Sequence, residues 1–290
     1  MLKPILGLLI VLFSSVSVLA DYVAERKVAT ELVRAGKQEE ATAAFRRMAG
    51  TAKSDFQKSD ALEQAVLCLI GLKRYDQAME TAQQIPLAPE SKTCQMRVLA
   101  ATRKWQELAN RFEHEAIDTW PEGVDAEAFF LRGQAHYVVK NAEKAEADLK
   151  KAAEYLTEDN NKGLALNALG DTYQHLLNDE ARAIEAYRRV YQTRNIAKQT
   201  QAAISIASIL RRQNRLDDAI EELQKIELDK LTWDYWRGAM LHALGVTLAQ
   251  QGKKTEATSR FKEALQLPGI SPGQKEACLK EVKKLEGDIK

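Results

Sequence analysis

A pair of small residues followed by a bulky one recurs at a fixed interval, and this pattern constrains the fold of the chain most strongly. It is clearest around Gly170, where apolar residues fall at the spacing of one helix face. A turn-prone run at 178–180 leads to a second helical pattern with the small residue Ala183 and the bulky Tyr187. Small residues at both places let two helices cross closely, with Tyr187 filling the space beside them. Neither helix can hide its apolar face alone, so the sequence predicts helix pairs that stack on further helix pairs.

The same positions can be followed through the chain. The first-helix small residue occurs at Gly133, Gly170, Ala207 and Gly245, at intervals of 37, 37 and 38 residues, and also at Ala29. A fixed period in this range is typical of a solenoid of stacked units. The second-helix alanine and the residue four positions later form the pairs Ala41 and Phe45, Ala78 and Ala82, Ala145 and Leu149, Ala183 and Tyr187, Ala219 and Leu223, and Ala257 and Phe261.

The final unit carries the most specific form of the pattern, in Leu244, Gly245, Leu248, Gly252, Ala257, Phe261, Ala264 and Pro268. This resembles the tetratricopeptide repeat (TPR), although that repeat is usually about 34 residues long and these units are slightly longer. The resemblance implies an all-α fold, a right-handed α-α superhelix of about seven helical hairpins. The third unit is degenerate, because Met96 and Leu108 stand where Gly and Ala belong. The predicted units begin near Tyr22, Ser59, Pro89, Ala126, Gly163, Thr200 and Gly238.

The two ends of the chain differ from the repeats. Residues 1–20 have a positive start, a short apolar run and small residues before Asp21, which is the layout of a secretory signal peptide. The alternative is a retained membrane anchor, but the apolar run is shorter than the roughly 20 residues that a span needs. Residues 21–270 are predicted to form the repeat array. Residues 271–290 are predicted to form a capping helix that starts at Ser271-Pro272, with serine as N-cap.

Composition and motifs argue against several classes of function. The net charge of +1 and the mixing of basic with acidic residues argue against a nucleic-acid surface. The four histidines lack the spacing of a zinc site, and no phosphate-binding loop, dinucleotide-binding motif or nucleophile elbow is found. We therefore expect no catalytic residues, no metal and no cofactor. Three cysteines leave at least one thiol unpaired, and a Cys68–Cys94 disulfide stays open.

The resemblance also implies where a partner would bind, because first helices line the concave face of TPR proteins. Carried over by register, this predicts a protein-binding surface of aromatic, amide and charged groups that could hold an extended peptide or a helix. The positions that bind a chaperone tail in some TPR proteins do not hold the required Lys, Asn and Arg, so that ligand is disfavoured. The predicted concave-face residues are Phe130, Gln134, Tyr137, Asn167, Asp171, Gln174, His175, Ile204, Ser208, Arg211, Arg212 and His242.

The sequence thus predicts an exported, non-enzymatic scaffold of a bacterial type, periplasmic or secreted, that binds a protein or peptide. No membrane span is expected once the signal peptide is removed. Two alternatives stay open. One is a membrane-tethered envelope assembly factor, and the other is an accessory subunit of an envelope enzyme complex, which rests only on the unpaired cysteine.

Overall fold

The computed structural model describes residues 21–287, and within that range the regular structure is helical throughout. The all-α fold class predicted from the sequence is confirmed. The predicted signal peptide, residues 1–20, lies outside the described residues. The helices are α1 (21–34), α2 (Gln38–Thr51), α3 (Asp55–Gly71), α4 (Tyr75–Gln83), α5 (Ala88–Ala101), α6 (Trp105–Arg111), α7 (Val124–Val138), α8 (Ala142–Tyr155), α9 (Asp159–His175), α10 (Glu180–Arg189), α11 (Ile196–Arg212), α12 (Leu216–Gln224), α13 (Asp234–Gln250), α14 (Lys254–Leu265) and α15 (Pro272–Gly287).

The chain divides into two compact units, with the division at Ala135/His136 inside α7. In the first unit, α2 packs against α3, α3 against α4, and α4 against α5. Its core is continuous from Ala29 on α1 to Val98 on α5. In the second unit the same succession runs from α8 to α15, and α11 also packs against both α9 and α13. Each unit is therefore a row of hairpins in which successive helices cover each other.

The predicted small and bulky positions are confirmed as the contact between the two helices of a hairpin. The six alanines of the second helices are each 0% exposed. Where the third unit departs from the pattern, Met96 and Leu108 are also fully buried. A larger pair therefore fills the same place in the shortest hairpin, whose second helix is α6.

A residue with left-handed backbone ends the first helix in each of the seven hairpins of the described region. Glycine adopts this conformation without strain, whereas a residue with a Cβ does not. The seven residues, with their φ angles, are Gly36 (74°), Lys73 (58°), Arg103 (58°), Lys140 (62°), Asn178 (53°), Asn214 (57°) and Gly252 (81°).

Two connections between hairpins are short. Helix α2 continues to Thr51 and α3 begins at Asp55, where the Ser54 hydroxyl accepts from the Gln57 backbone amide. Helix α13 begins at Asp234, within the aromatic segment 231–236.

Helix α15 closes the second unit. Its first turn is capped as predicted, since the Ser271 hydroxyl accepts a hydrogen bond from the Gln274 backbone N–H at 3.3 Å. Cys278, Val282 and Leu285 are buried against the last hairpin. Among residues 21–287, no helix combines the length and apolar character that a membrane crossing requires. Cys68, Cys94 and Cys278 are buried, free thiols.

Candidate protein-binding surface

The first helices of the second unit carry most of the predicted binding residues. Each predicted position there lies on α7, α9, α11 or α13, the helices that open the hairpins. Their exposure differs, and this decides which of them a partner could reach. His175 and Arg212 are exposed, Asn167 is buried, and the half-buried ones are Tyr137, Asp171, Gln174, Ile204, Ser208, Arg211 and His242.

Asp171 is linked to the second helix of its own hairpin through Tyr187. The Tyr187 hydroxyl donates to Asp171 Oδ1 at 2.6 Å and lies 3.1 Å from Gln174 Oε1. Burial raises the pKa of Asp171, while the Tyr187 hydrogen bond and the charge of His175 oppose that rise. Burial, and then the Asp171 charge, raise the pKa of Tyr187 well above its usual range, so this hydroxyl stays protonated.

Arg211 and His242 form a second polar region on α11 and α13. Burial lowers the pKa of Arg211, and neighbouring Arg212 lowers it further. An arginine nevertheless keeps its charge at neutral pH. Burial lowers the pKa of His242, although the charge of Glu281 opposes this effect. The lowered pKa favours a neutral imidazole. The His242 ring packs on Phe261 with centroids 5.6 Å apart, so this predicted concave-face residue is only partly accessible.

The Arg211 guanidinium has no carboxylate partner at ion-pair distance among residues 21–287. By contrast, neighbouring Arg212 pairs with Glu180 at 2.8 Å, and Gln213 donates to the other oxygen of that carboxylate. A half-buried cation without a counter-charge attracts a carboxylate strongly, since charge-assisted hydrogen bonds to arginine are among the strongest in proteins. Arg211 is therefore the group on this surface best suited to hold an acidic ligand.

Asn167 is only 2% exposed, so its side chain acts between helices. Its amide nitrogen donates to the Lys198 carbonyl at 3.2 Å and joins α9 to α11. The Asn167 Oδ1 atom is buried and has no hydrogen-bond partner within the described part of the chain. The register placed Asn167 on the correct helix, but the neighbouring hairpin covers it.

Phe130 and Gln134 belong to the first unit and are half-buried on α7. The main polar feature of that unit was not predicted. The Arg97 guanidinium on α5 bonds Glu63 on α3 at 2.6 Å and both carboxylate oxygens of Glu127 on α7. The three residues lie on successive first helices, 34 and 30 positions apart, but at different positions within their repeats, so the register alone does not predict that they meet.

No group of three or more His, Cys, Asp or Glu side chains suited to a metal ion is found in the described region. The surface consists of hydroxyl, amide, imidazole and guanidinium groups in separate small clusters. Such groups can bind and orient a polypeptide through hydrogen bonds and charge. Their arrangement suits recognition of a partner.

Comparison with solved structures finds the same fold in TPR proteins. A TPR protein from Parabacteroides merdae is 14% identical, with a TM-score of 0.53, over 91% of this chain and 98% of that chain. The C-terminal part of a TPR repeat-containing protein from Cytophaga hutchinsonii is 12% identical, with a TM-score of 0.52, over 87% and 98%. Yeast Tom70 is 16% identical, with a TM-score of 0.50, over 87% of this chain and 51% of that chain.

These likenesses establish the fold: the chain is built as TPR proteins are built, which confirms the resemblance read from its repeats. A scan against protein-family descriptions found no match, and a search of curated proteins found none either.

Proposed function

We propose that this protein is a non-enzymatic scaffold that binds another protein through the first helices of its second unit. Its fold supports a role in protein–protein interaction, because stacked helical repeats present extended surfaces to their ligands. The observation that carries the proposal is Arg211, a half-buried cation without a carboxylate partner in the described residues. An acidic side chain or chain terminus of the partner would supply the missing counter-charge.

Other polar groups on the first helices of the second unit suit a polypeptide ligand. Ser208, one turn before Arg211 on α11, offers a half-buried hydroxyl that can both donate and accept. On α9, Gln174 and the exposed His175 add an amide and an imidazole. Main-chain amides and carbonyls of an extended peptide need such partners when they leave water. Arg211 would then select the acidic position of the ligand, while the other groups bind its backbone.

Photo-crosslinking in the cells that make the protein tests this surface. A photoreactive amino acid at Ser208 should capture a partner that the same amino acid at exposed Glu221, on the second helix α12, does not capture. Arg211→Glu should abolish the Ser208 crosslink, while thermal unfolding shows that the variant is folded. Equal capture from both positions, or a crosslink unaffected by Arg211→Glu, would refute the proposed surface.

We further propose that the protein is exported and acts in the bacterial envelope or outside the cell. The support is the signal-peptide layout of residues 1–20. The amino terminus of the protein purified from cells should begin at Asp21. An amino terminus at Met1 would contradict cleavage and favour the membrane-tethered assembly factor instead.

A further inference from the structure

A pocket of about 350 Å³ lies in the second unit between the segment before α11 and the segment before α13. Ile196 and Leu231 supply apolar lining, and Trp233 and Trp236 supply aromatic lining. The volume is at the lower end of the range for ligand sites, large enough for one or two side chains. None of the residues predicted from the repeat register lines this pocket.

The aromatic residues at the start of α13 are open to solvent. Trp233 lines the pocket and is 69% exposed, and Tyr235, which lies beside the pocket and does not line it, is 50% exposed. The Tyr235 ring meets the Trp236 ring edge to face, with centroids 5.1 Å apart. Exposed apolar surface of this kind marks interaction sites, and Trp, Tyr and Arg are the residues enriched at binding hot spots.

Arg194 is the charged residue of the pocket lining. Within residues 21–287, no carboxylate pairs with its guanidinium. The pocket therefore combines a cation that lacks a counter-charge with an apolar aromatic wall. A ligand that satisfies both must carry an anionic group next to an apolar one.

Hydrogen bonds fix both walls of the pocket before any ligand arrives. On the α13 side, the Asp234 carboxylate accepts from the Gly269 amide at 2.7 Å, and Gln274 donates to the Tyr235 carbonyl at 2.8 Å. On the α11 side, Asn195 accepts from the Lys198 amide at 3.1 Å and donates to Asn160 at 3.1 Å. A preformed site loses little entropy on binding, which favours affinity.

We propose that this pocket, together with Trp233 and Arg194, binds an acidic peptide segment that presents a large apolar side chain beside a carboxylate. The apolar side chain enters between Ile196 and Trp236 and stacks against Trp233, and the carboxylate pairs with Arg194. A neutral glycan could stack on the tryptophan but would leave the arginine without a partner. The pocket lies at the start of α11 and Arg211 lies near its end, about 22 Å away along the helix axis, so this is a second site.

Selection of random peptides displayed on phage tests the ligand class. The purified protein should enrich peptides with Asp or Glu next to Phe, Trp or Leu, and the best peptide, labelled with a fluorophore, gives a dissociation constant by polarisation. Trp233→Ala and Arg194→Glu should each weaken binding at least about tenfold. Leu279→Ala, at a residue 50% exposed on α15, should leave it unchanged.

Further measurements distinguish this proposal from binding at the Arg211 surface and from binding of a glycan. Arg211→Glu should not affect this peptide, and a loss of binding there would place the peptide on the surface of the proposed function instead. A neutral chito-oligosaccharide that quenches tryptophan fluorescence equally in the wild type and in Arg194→Glu would show a glycan site and overturn the proposal. Enrichment of basic peptides, or of no common pattern, would overturn it as well. Trp233 and Arg194 are exposed, so thermal unfolding should match the wild type in both variants.

Discussion

The ring of Tyr187 fills the place that a Cβ atom on Gly170 would need. A Cβ built on Gly170 would lie 2.4 Å from Tyr187 Cε1, and one built on Gly245 would lie 2.6 Å from Phe261 Cε1. Both distances are far inside van der Waals contact. Glycine on the first helix therefore leaves the space that the aromatic ring on the second helix fills.

Replacing Gly170 with alanine should destabilise the protein by about 1–3 kcal/mol, because the ring would have to leave its packed position. Chemical denaturation of the variant measures the change. The matched control is Gly50→Ala in α2, where nothing lies within 4 Å of the new Cβ; it should stabilise the helix by about 0.5–1 kcal/mol. Adding Tyr187→Leu to Gly170→Ala reproduces the pair found at Ala207 and Leu223 and should recover part of the loss. A Gly170→Ala variant as stable as the wild type would contradict this packing.

Removing the Tyr187 hydroxyl should raise the pKa of Asp171 further, because its hydrogen bond opposes the effect of burial. Tyr187→Phe should cost about 1–2 kcal/mol at a pH at which Asp171 is charged. Because the folded-state pKa of Asp171 is raised, the penalty should shrink as the pH falls through that pKa and the carboxyl group becomes protonated. Carbon NMR of the carboxyl group reports the titration, and Tyr235→Phe at an exposed ring is the control. An unchanged Asp171 titration would argue against the hydrogen bond.

Glu222 should stabilise the second unit as an anion. Burial alone would raise its pKa, but hydrogen bonds from Lys225 and Tyr191 and the charge of Arg188 outweigh this and hold the pKa below its usual value. A lowered carboxyl pKa gives stability that is present at neutral pH and is lost as the pH falls through the folded-state pKa. Glu222→Gln should therefore cost about 1–3 kcal/mol at pH 7 and much less near pH 3.

The neighbouring Glu221 provides the control for this experiment. It is exposed on the same helix, and Glu221→Gln should change the free energy of unfolding little at either pH. If Glu222→Gln lowered the free energy of unfolding equally at pH 7 and pH 3, Glu222 would stabilise the protein through packing and not through its charge.

The left-handed turn residues with side chains are places where the protein can be made more stable. Lys140 has a φ of 62°, and its Cβ is strained there by about 1–2 kcal/mol. Lys140→Gly should stabilise by about 0.5–1 kcal/mol, since the greater freedom of glycine in the unfolded chain offsets part of the gain. Ala147→Gly, at an exposed position within α8, should instead destabilise by about 1 kcal/mol. Thermal unfolding of the two variants should therefore shift in opposite directions.

The period alone was enough to predict the contacts between paired helices. Ala183, Ala219 and Ala257 are fully buried because helix geometry fixes which face a residue lies on. The accessibility of the predicted binding residues could not be predicted in the same way. Asn167 and His242 lie on the predicted helices, but the adjoining hairpin covers the first, and Phe261 covers part of the second.

The ion pairs were also beyond a single repeat. Arg97 has two acidic partners, each on a different helix, and the three residues occupy different positions within their repeats, so the repeat pattern does not pair them. The Trp233 pocket escaped prediction for a related reason. It forms where two connections that are distant in sequence come together, and Trp233 and Arg194 have no counterparts in the repeat pattern.

Six of the seven turns make corresponding points of successive hairpins interchangeable, because in each the amide after the left-handed residue donates to the carbonyl five residues back. Asn214 and Gly252 share this backbone arrangement and the same place between two helices. Cutting at these two residues and rejoining the ends would remove α12 and α13, the equivalent of one hairpin, while leaving every remaining turn intact. Duplication or deletion of a gene segment could therefore change the number of hairpins without requiring a new type of turn.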